Sequence, residues 1–190
     1  VPRTGSTFVT FSRRHFSSTI AEKIEVSGNP VRSNLSTLPD KAEARLALGL
    51  VPDKPTVFIF GGSLGARSIN LAMEASVEKF RQAGIQVLWQ TGKNYTPNSA
   101  LNAENIKIMQ FVDDMRTNYA AADVVVCRAG ATTIAELAII RKPAILVPFP
   151  QAANDHQTGN ARALQTEGAA ILLPDTDVKD RLFASVQGLL

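Results

Sequence analysis

From Pro55 onward, short apolar and β-branched runs alternate with stretches of helical spacing. The runs are Thr56–Phe60, Gln86–Gln90, Ile106–Gln110, Asp123–Cys127, Ala144–Val147 and Ala170–Leu173. Several are apolar at successive positions, as in Val124-Val125-Val126, instead of alternating with polar residues. Strands covered by helices on both faces read this way, and they belong to parallel sheets. The intervening spacing predicts helices over 65–83, 114–121, 132–141, 155–167 and 178–189. In the first of these Ile69, Met73, Val77 and Phe80 fall on one stripe, and Gly84 stops the helix. Strand and helix in regular alternation predict an α/β fold, a doubly wound parallel sheet of about six strands.

Residues 1–50 read differently. Thr7–Phe11 and Lys23–Val26 are short strand candidates with a poor helical pattern between them, and Gly28-Asn29-Pro30 signals a turn. Asp40 to Leu48 predicts a short helix, with Asp40 as N-cap and Gly49 after its end. The expected organisation is therefore residues 1–34 as the end of a preceding domain plus linker, and 35–190 as the α/β domain. The opening Val1-Pro2-Arg3 carries no starting methionine, so a longer parent chain is expected.

Composition narrows the field. The 190 residues are 45% hydrophobic, enough for a sizeable core without staples. One cysteine excludes an internal disulfide framework and a four-cysteine zinc site. The net charge of +3 and pI near 9.2 are a mild excess, not a nucleic-acid-binding composition. No apolar run approaches the roughly 18 residues of a spanning helix, and no secretory signal opens the chain. The basic stretch Ser12-Arg13-Arg14-His15-Phe16 suits either an acidic membrane surface or plain solvation.

Four motifs carry candidate chemistry. Gly61-Gly62-Ser63-Leu64-Gly65-Ala66 joins a strand to a helix, where glycines admit an anion to the backbone and a helix N-terminus offers free N–H groups. The competing reading is a tight strand-to-helix turn. It is not a P-loop, since no Gly-Lys-Ser/Thr follows, and it lacks the full dinucleotide spacing. Cys127 to Glu136 is the second such junction, expected to share a crevice with the first at the strands' carboxyl ends. There Arg128 can pair with a phosphate or an acid, and Cys127 reads as a buried, inert thiol. Thr133-x-x-Glu136 matches a capping box, and a ligand role for Glu136 would involve hydroxyl donors such as a ribose diol. Asn154-Asp155-His156-Gln157-Thr158-Gly159-Asn160 follows the rigid Pro148-Phe149-Pro150 turn and is dense in groups that hydrogen-bond sugar hydroxyls. Its plainer reading is an N-cap by Asn154 or Asp155. Gly28-Asn29-Pro30-Val31-Arg32 is the fourth, with a linker turn as the alternative. His15 and His156 lie too far apart in sequence to assemble a metal constellation.

In this order the motifs resemble the MurG family of bacterial N-acetylglucosaminyltransferases, within glycosyltransferase family 28. The matching stretches add Phe111-Val112-Asp113-Asp114-Met115 and Ala122-Asp123-Val124-Val125-Val126 to those above, so the resemblance runs from about Thr7 to the C-terminus. It implies a Rossmann-like, donor-binding C-terminal domain, one half of a two-domain GT-B enzyme. By resemblance, the Val112 backbone recognises the uracil edge and Glu136 the ribose hydroxyls. Ser63, Arg32 and the Ala131-Thr132-Thr133 turn serve the nucleotide and diphosphate. Gln157, with His156 and Asn160, holds the sugar.

The implied chemistry is inverting transfer of N-acetylglucosamine from UDP-N-acetylglucosamine to the C4 hydroxyl of the muramoyl sugar of lipid I, giving lipid II for peptidoglycan. No cofactor and no metal are expected. The expected partners are the UDP-sugar donor, a lipid-linked acceptor met through an N-terminal domain, and an anionic membrane surface, but no nucleic acid. The expected location is cytoplasmic, on the inner face of the bacterial inner membrane. The general base is expected in that N-terminal domain. The alternatives are a stand-alone nucleotide-sugar-binding subunit that needs a partner chain and, less well supported, an epimerase of the same architecture.

Overall fold

In the strand Thr56–Phe60 (β1), Val57 and Ile59 face one way and Phe58 and Phe60 the other, and all four are buried. A strand buried on both faces needs helices above and below it. The computed structural model describes residues 29–98, 101 and 103–190, and supplies both layers. The other strands are β2 (Gln86–Gln90), β3 (Ile106–Met109), β4 (Val124–Cys127), β5 (Ala144–Leu146) and β6 (Ile171–Leu172). The helices are α1 (Lys41–Ala47), α2 (Arg67–Gln82), α3 (Met115–Ala121), α4 (Ala131–Ile140), α5 (His156–Thr166) and α6 (Val178–Gln187). The six strands lie in the order β3-β2-β1-β4-β5-β6, every pair parallel. The doubly wound parallel sheet expected from the pattern is the one observed. Its order reverses between β1 and β4, which opens a crevice at their carboxyl ends.

One face is covered by α2 and α6. The stripe Ile69, Met73, Val77 and Phe80 is buried against Val57, Ile59, Val87 and Trp89, and Phe80 meets Phe183 of α6 edge-on at 5.2 Å. Each such side chain contributes about 1.5–3 kcal/mol by leaving water. The opposite face gathers Phe58, Phe60, Leu88, Val125 and Leu146 under Leu35, Met115, Tyr119, Ile134 and Leu137. Helix ends follow local chemistry. Asp40 accepts from the Ala42 and Glu43 amides at 2.8 and 3.1 Å, as its N-cap position predicts. The helix predicted from residue 65 begins at Arg67, because Gly65 is still part of the loop. The one predicted from 155 begins at His156, because Asn154 and Asp155 both have φ near +50°.

The amino ends of β1 and β4 are tied by a charge network that the apolar pattern conceals. Asp123 precedes β4 instead of beginning it, and its Oδ2 accepts from the Thr56 amide at 2.8 Å and from Arg45. Arg45, only 5% exposed, also donates to the carbonyls of Ala121 and Pro52, and Lys41 reaches Asp123 Oδ1 at 2.8 Å. This clamp fixes α1 beside α3. Thr7–Phe11, Lys23–Val26, Ser12–Phe16 and Gly28 lie outside the described residues.

Candidate functional site

The loop between β1 and α2 is docked onto the end of β2. Gly65 has φ +86°, and a Cβ there would stand 2.1 Å from the Thr91 carbonyl oxygen. Gly92 faces it with φ +81°, and a Cβ there would lie 2.0 Å from the Gly65 nitrogen. Only glycines allow two backbones this close in that conformation. The contact is stitched by the Lys93 amide to the Ser63 carbonyl at 3.1 Å and by Gln90 Nε2 to the Gly62 carbonyl at 3.1 Å. Buried Asn70 supports the stitch, donating to the Thr91 carbonyl at 2.8 Å and accepting from Trp89 Nε1 at 2.9 Å. The two readings of the glycine loop therefore divide by residue. Gly65 serves backbone packing, whereas exposed Gly62 and Ser63 line a crevice of about 760 Å³.

That crevice lies at the switch point, bounded by Gly61–Ser68, Arg128, Phe149, Pro150 and Gln157. The two motif junctions do meet here, although the second contributes Arg128 alone to the lining. Arg128 pairs with an acid: Asp175 takes its Nη1, which also reaches the carbonyls of Val147 and Pro148 at 3.2 and 3.1 Å. Its Nη2 donates to Ser68 Oγ at 2.9 Å, and the guanidinium rests over Phe149 at 5.4 Å. Arg128 thus braces the ends of β4 and β5 against α2, with Nη1 and Nη2 engaged inside the protein. Ser68 and Asp175 were not visible as site residues in the sequence; Asp175 stands 47 positions from its partner.

The helices that start at this end of the sheet after β1, β4, β5 and β6 have no side-chain cap hydrogen bond, α2 and α4 among them. Ala66 precedes α2 and Gly130 precedes α4, and neither helix has a side-chain hydrogen bond at its N-terminus. Such an end exposes N–H donors and the positive end of the helix dipole to an anion. Ala131, Thr132 and Thr133 form the first turn of α4. The capping box expected of Thr133 and Glu136 does not form. Gly130 takes the cap position, so Thr133 is already inside the helix and Glu136 lies too far along it to reach back.

Glu136 is instead buried, 5% exposed, with Oε2 accepting from the Tyr119 hydroxyl at 2.8 Å and Oε1 from Arg32 Nη1 at 3.1 Å. Burial, reinforced by the negative charge of Glu136 and the hydrogen bond to it, pushes the Tyr119 phenol far above its ordinary range, so it remains a donor. Burial also pushes the Cys127 thiol up, which keeps it protonated and unreactive. Arg32, expected near a diphosphate, is here the exposed partner of Glu136. Val112 places its side chain in the core beside Met115 and Tyr119, while Phe111 before it is exposed.

The polar cluster at α5 is not capped as the sequence suggests. Neither Asn154 nor Asp155 caps the helix; both adopt the left-handed conformation that Asn and Asp tolerate best. Gln157 is half-buried, lines the crevice and accepts from the Phe149 amide at 3.0 Å through Oε1, which leaves its amide nitrogen available as a donor. Asn160 donates to the Ala129 carbonyl at 3.1 Å, tying α5 to the turn before α4. His156 is exposed, with Nδ1 2.7 Å from the Ala153 carbonyl, and does not line the crevice. Among the described residues no group of three or more His, Cys, Asp or Glu side chains is placed to hold a metal ion.

A doubly wound sheet, a crevice at its switch point and uncapped helix ends beside it define the class: a Rossmann-like ligand-binding domain. Residues 56–190 match the glycosyltransferase family 28 C-terminal domain, and the chain belongs to that family. It is 49% identical over 163 residues to a UDP-N-acetylglucosamine–N-acetylmuramyl-(pentapeptide) pyrophosphoryl-undecaprenol N-acetylglucosamine transferase of Cytophaga hutchinsonii, covering 85% of this chain and 44% of that one. The enzyme of the same name from Bacteroides thetaiotaomicron is 44% identical over 170 residues, covering 85% and 46%. The chain thus spans about half the length of these curated relatives. Among solved structures it resembles Acinetobacter baumannii MurG, with TM-score 0.63 and 31% identity over 87% of this chain and 50% of that one. The calicheamicin glycosyltransferase CalG4, at 16% identity and TM-score 0.61, shares the fold.

Proposed function

We propose that the chain is the donor-binding half of an inverting N-acetylglucosaminyltransferase of peptidoglycan synthesis. In this reading residues 35–190 hold UDP-N-acetylglucosamine, and residues 1–34 lead in from a preceding domain that receives the lipid-linked acceptor at the cytoplasmic face of the membrane. The observation that carries it is the crevice at the switch point, with the Gly62-Ser63 backbone and the uncapped start of α2 at one side and Gln157 at the other. The departing UDP gains negative charge as the sugar leaves, and fixed N–H dipoles at helix starts stabilise that charge without reorganising. Ser63 and the first turn of α4, Ala131 to Thr133, face the diphosphate. The Val112 backbone meets the uracil edge, Glu136 accepts from the ribose diol, and Gln157 selects the sugar, with His156 and Asn160 nearby. Among the described residues no helix is long and apolar enough to cross a membrane. Contact with the bilayer in this reading is peripheral.

Calorimetric titration with UDP tests the nucleotide assignment. Glu136→Gln keeps the volume of the side chain and removes its charge, so UDP affinity is expected to fall by about 1.5–3 kcal/mol, the scale of a charge-assisted hydrogen bond. Equal affinity in a folded variant overturns the assignment of Glu136. Sugar choice is tested separately. The phosphate-facing backbone cannot tell hexoses apart, whereas Gln157 is held by the Phe149 amide with its own amide group free to donate. A site built to hydrogen-bond a hydroxyl rejects ligands that lack it. Gln157→Ala is expected to weaken UDP-N-acetylglucosamine about tenfold, leave UDP nearly unchanged and narrow the preference over UDP-N-acetylgalactosamine. Equal losses for UDP and the UDP-sugar would show that Gln157 acts on the nucleotide or the fold.

A further inference from the structure

The two oxygens of Glu136 are held in unlike ways. Oε2 meets the Tyr119 hydroxyl at 2.8 Å, and Tyr119 is wholly buried. Its ring stands edge-on to Phe58 at 5.7 Å and to Phe60 at 6.0 Å, so the phenol is aimed by β1 itself. Oε1 meets Arg32, whose side chain is 56% exposed against 7% for Glu136. A guanidinium this exposed stays within reach of water, and another donor can take its place against the carboxylate. A buried phenol has no such freedom, because leaving it unpaired is costly. One oxygen is therefore fixed and the other replaceable.

We infer that Tyr119 is a positioning residue: it locks Oε2 and sets the plane of the carboxylate, so that Oε1 is presented to a vicinal diol in exchange for Arg32. The inference rests on the assignment of Glu136 to a ribose. A carboxylate accepts through both oxygens, and its aim decides whether two adjacent hydroxyls meet it in good geometry. Tyr119 touches no ligand in this arrangement. Its effect reaches the ligand through Glu136, and that makes it separable from a general role in the core.

The test is titration with UDP and with 2′-deoxy-UDP, which lacks one hydroxyl of the diol. Five forms of the chain are compared: wild type, Glu136→Gln, Tyr119→Phe, the double variant Glu136→Gln/Tyr119→Phe, and Tyr119→4-aminophenylalanine, which keeps the ring and restores a donor. Tyr119→Phe is expected to reduce the preference for UDP over the deoxy ligand by about tenfold while hardly changing affinity for the deoxy ligand. The amino variant is expected to recover most of that preference, and it supplies the comparison if the phenylalanine variant folds poorly. In a Glu136→Gln background Tyr119→Phe is expected to change the ratio no further. A core role alone would lower both ligands equally and leave the ratio at its wild-type value, which overturns the inference. An amino variant as indifferent to the 2′-hydroxyl as the phenylalanine variant also overturns it. If Glu136→Gln itself leaves the preference intact, the ribose assignment fails first and takes the inference with it. If Glu136→Gln lowers the preference and Tyr119→Phe does not, only the inference falls.

Discussion

Gly92→Ala is expected to destabilise the chain by about 3 kcal/mol or more and, in the proposed reading, to weaken UDP binding in whatever folded fraction remains. Two effects add. At φ +81° an L side chain is strained before it meets anything. Its Cβ would then lie 2.0 Å from the Gly65 nitrogen, 2.3 Å from the Gly65 Cα and 2.4 Å from the Leu64 carbonyl carbon. All three are main-chain atoms, so no rotamer change relieves the clash and the β1–α2 loop must lift off β2. The hydrogen bond from Lys93 to the Ser63 carbonyl goes with it. Gly84→Ala is the control: it shares positive φ, at +67°, but a Cβ there meets nothing within 4 Å. Urea denaturation of both variants separates strain from collision. A Gly92→Ala loss no larger than that of Gly84→Ala would mean that the backbone contact is unimportant.

Asp123→Ala is expected to cost about 3 kcal/mol, because it leaves the buried Arg45 guanidinium without its counter-charge and the Thr56 amide without its acceptor. Part of that stability depends on pH. Burial alone would raise the Asp123 pKa, but Lys41, the Thr56 amide and Arg45 outweigh it and hold the carboxyl below its usual range. A carboxylate with a lowered folded pKa contributes stability in full above its unfolded value, near 3.9, and loses it as pH falls through the folded value. Wild type should therefore weaken steeply below about pH 4, whereas Asp123→Ala, already lacking that contribution, should follow a flatter curve. Parallel curves from pH 7 to pH 3 would remove Asp123 from the acid response.

The strands were legible because a parallel sheet leaves uninterrupted apolar runs such as Val124-Val125-Val126, and the stripe of α2 because Ile69, Met73, Val77 and Phe80 all face the core. Less was visible where sequence neighbours are not spatial partners. Asp123 reads as the first residue of a strand, yet its role is set by Arg45, 78 positions away. Thr133-x-x-Glu136 carries the letters of a capping box, but Gly130 with small Ala131 starts the helix earlier, so the same letters fall one turn too deep. Tyr119 stands in the short helix Met115–Ala121 beside Ala120 and Ala121, where the sequence does not distinguish a core aromatic from one that hydrogen-bonds a carboxylate. The loops that frame the crevice were found because glycine clusters after strands have few other uses. Their division into packing and open positions depends on β2, which the local pattern does not contain.

The α6 helix has a consequence for how the chain is made. Val178, Leu182 and Val186 complete the face of the sheet that carries Val57, Ile59, Val124 and Val126, and α6 is the last of the described elements to leave the ribosome. Until it emerges, α2 is the one helix over that face, and Val124 and Val126 of β4 and Ile145 of β5 remain open to other chains. Domains fold as units once their sequence is available. Translation stalled before Val178 would thus leave a sheet closed on one side and adhesive on the other, a natural client for holding chaperones.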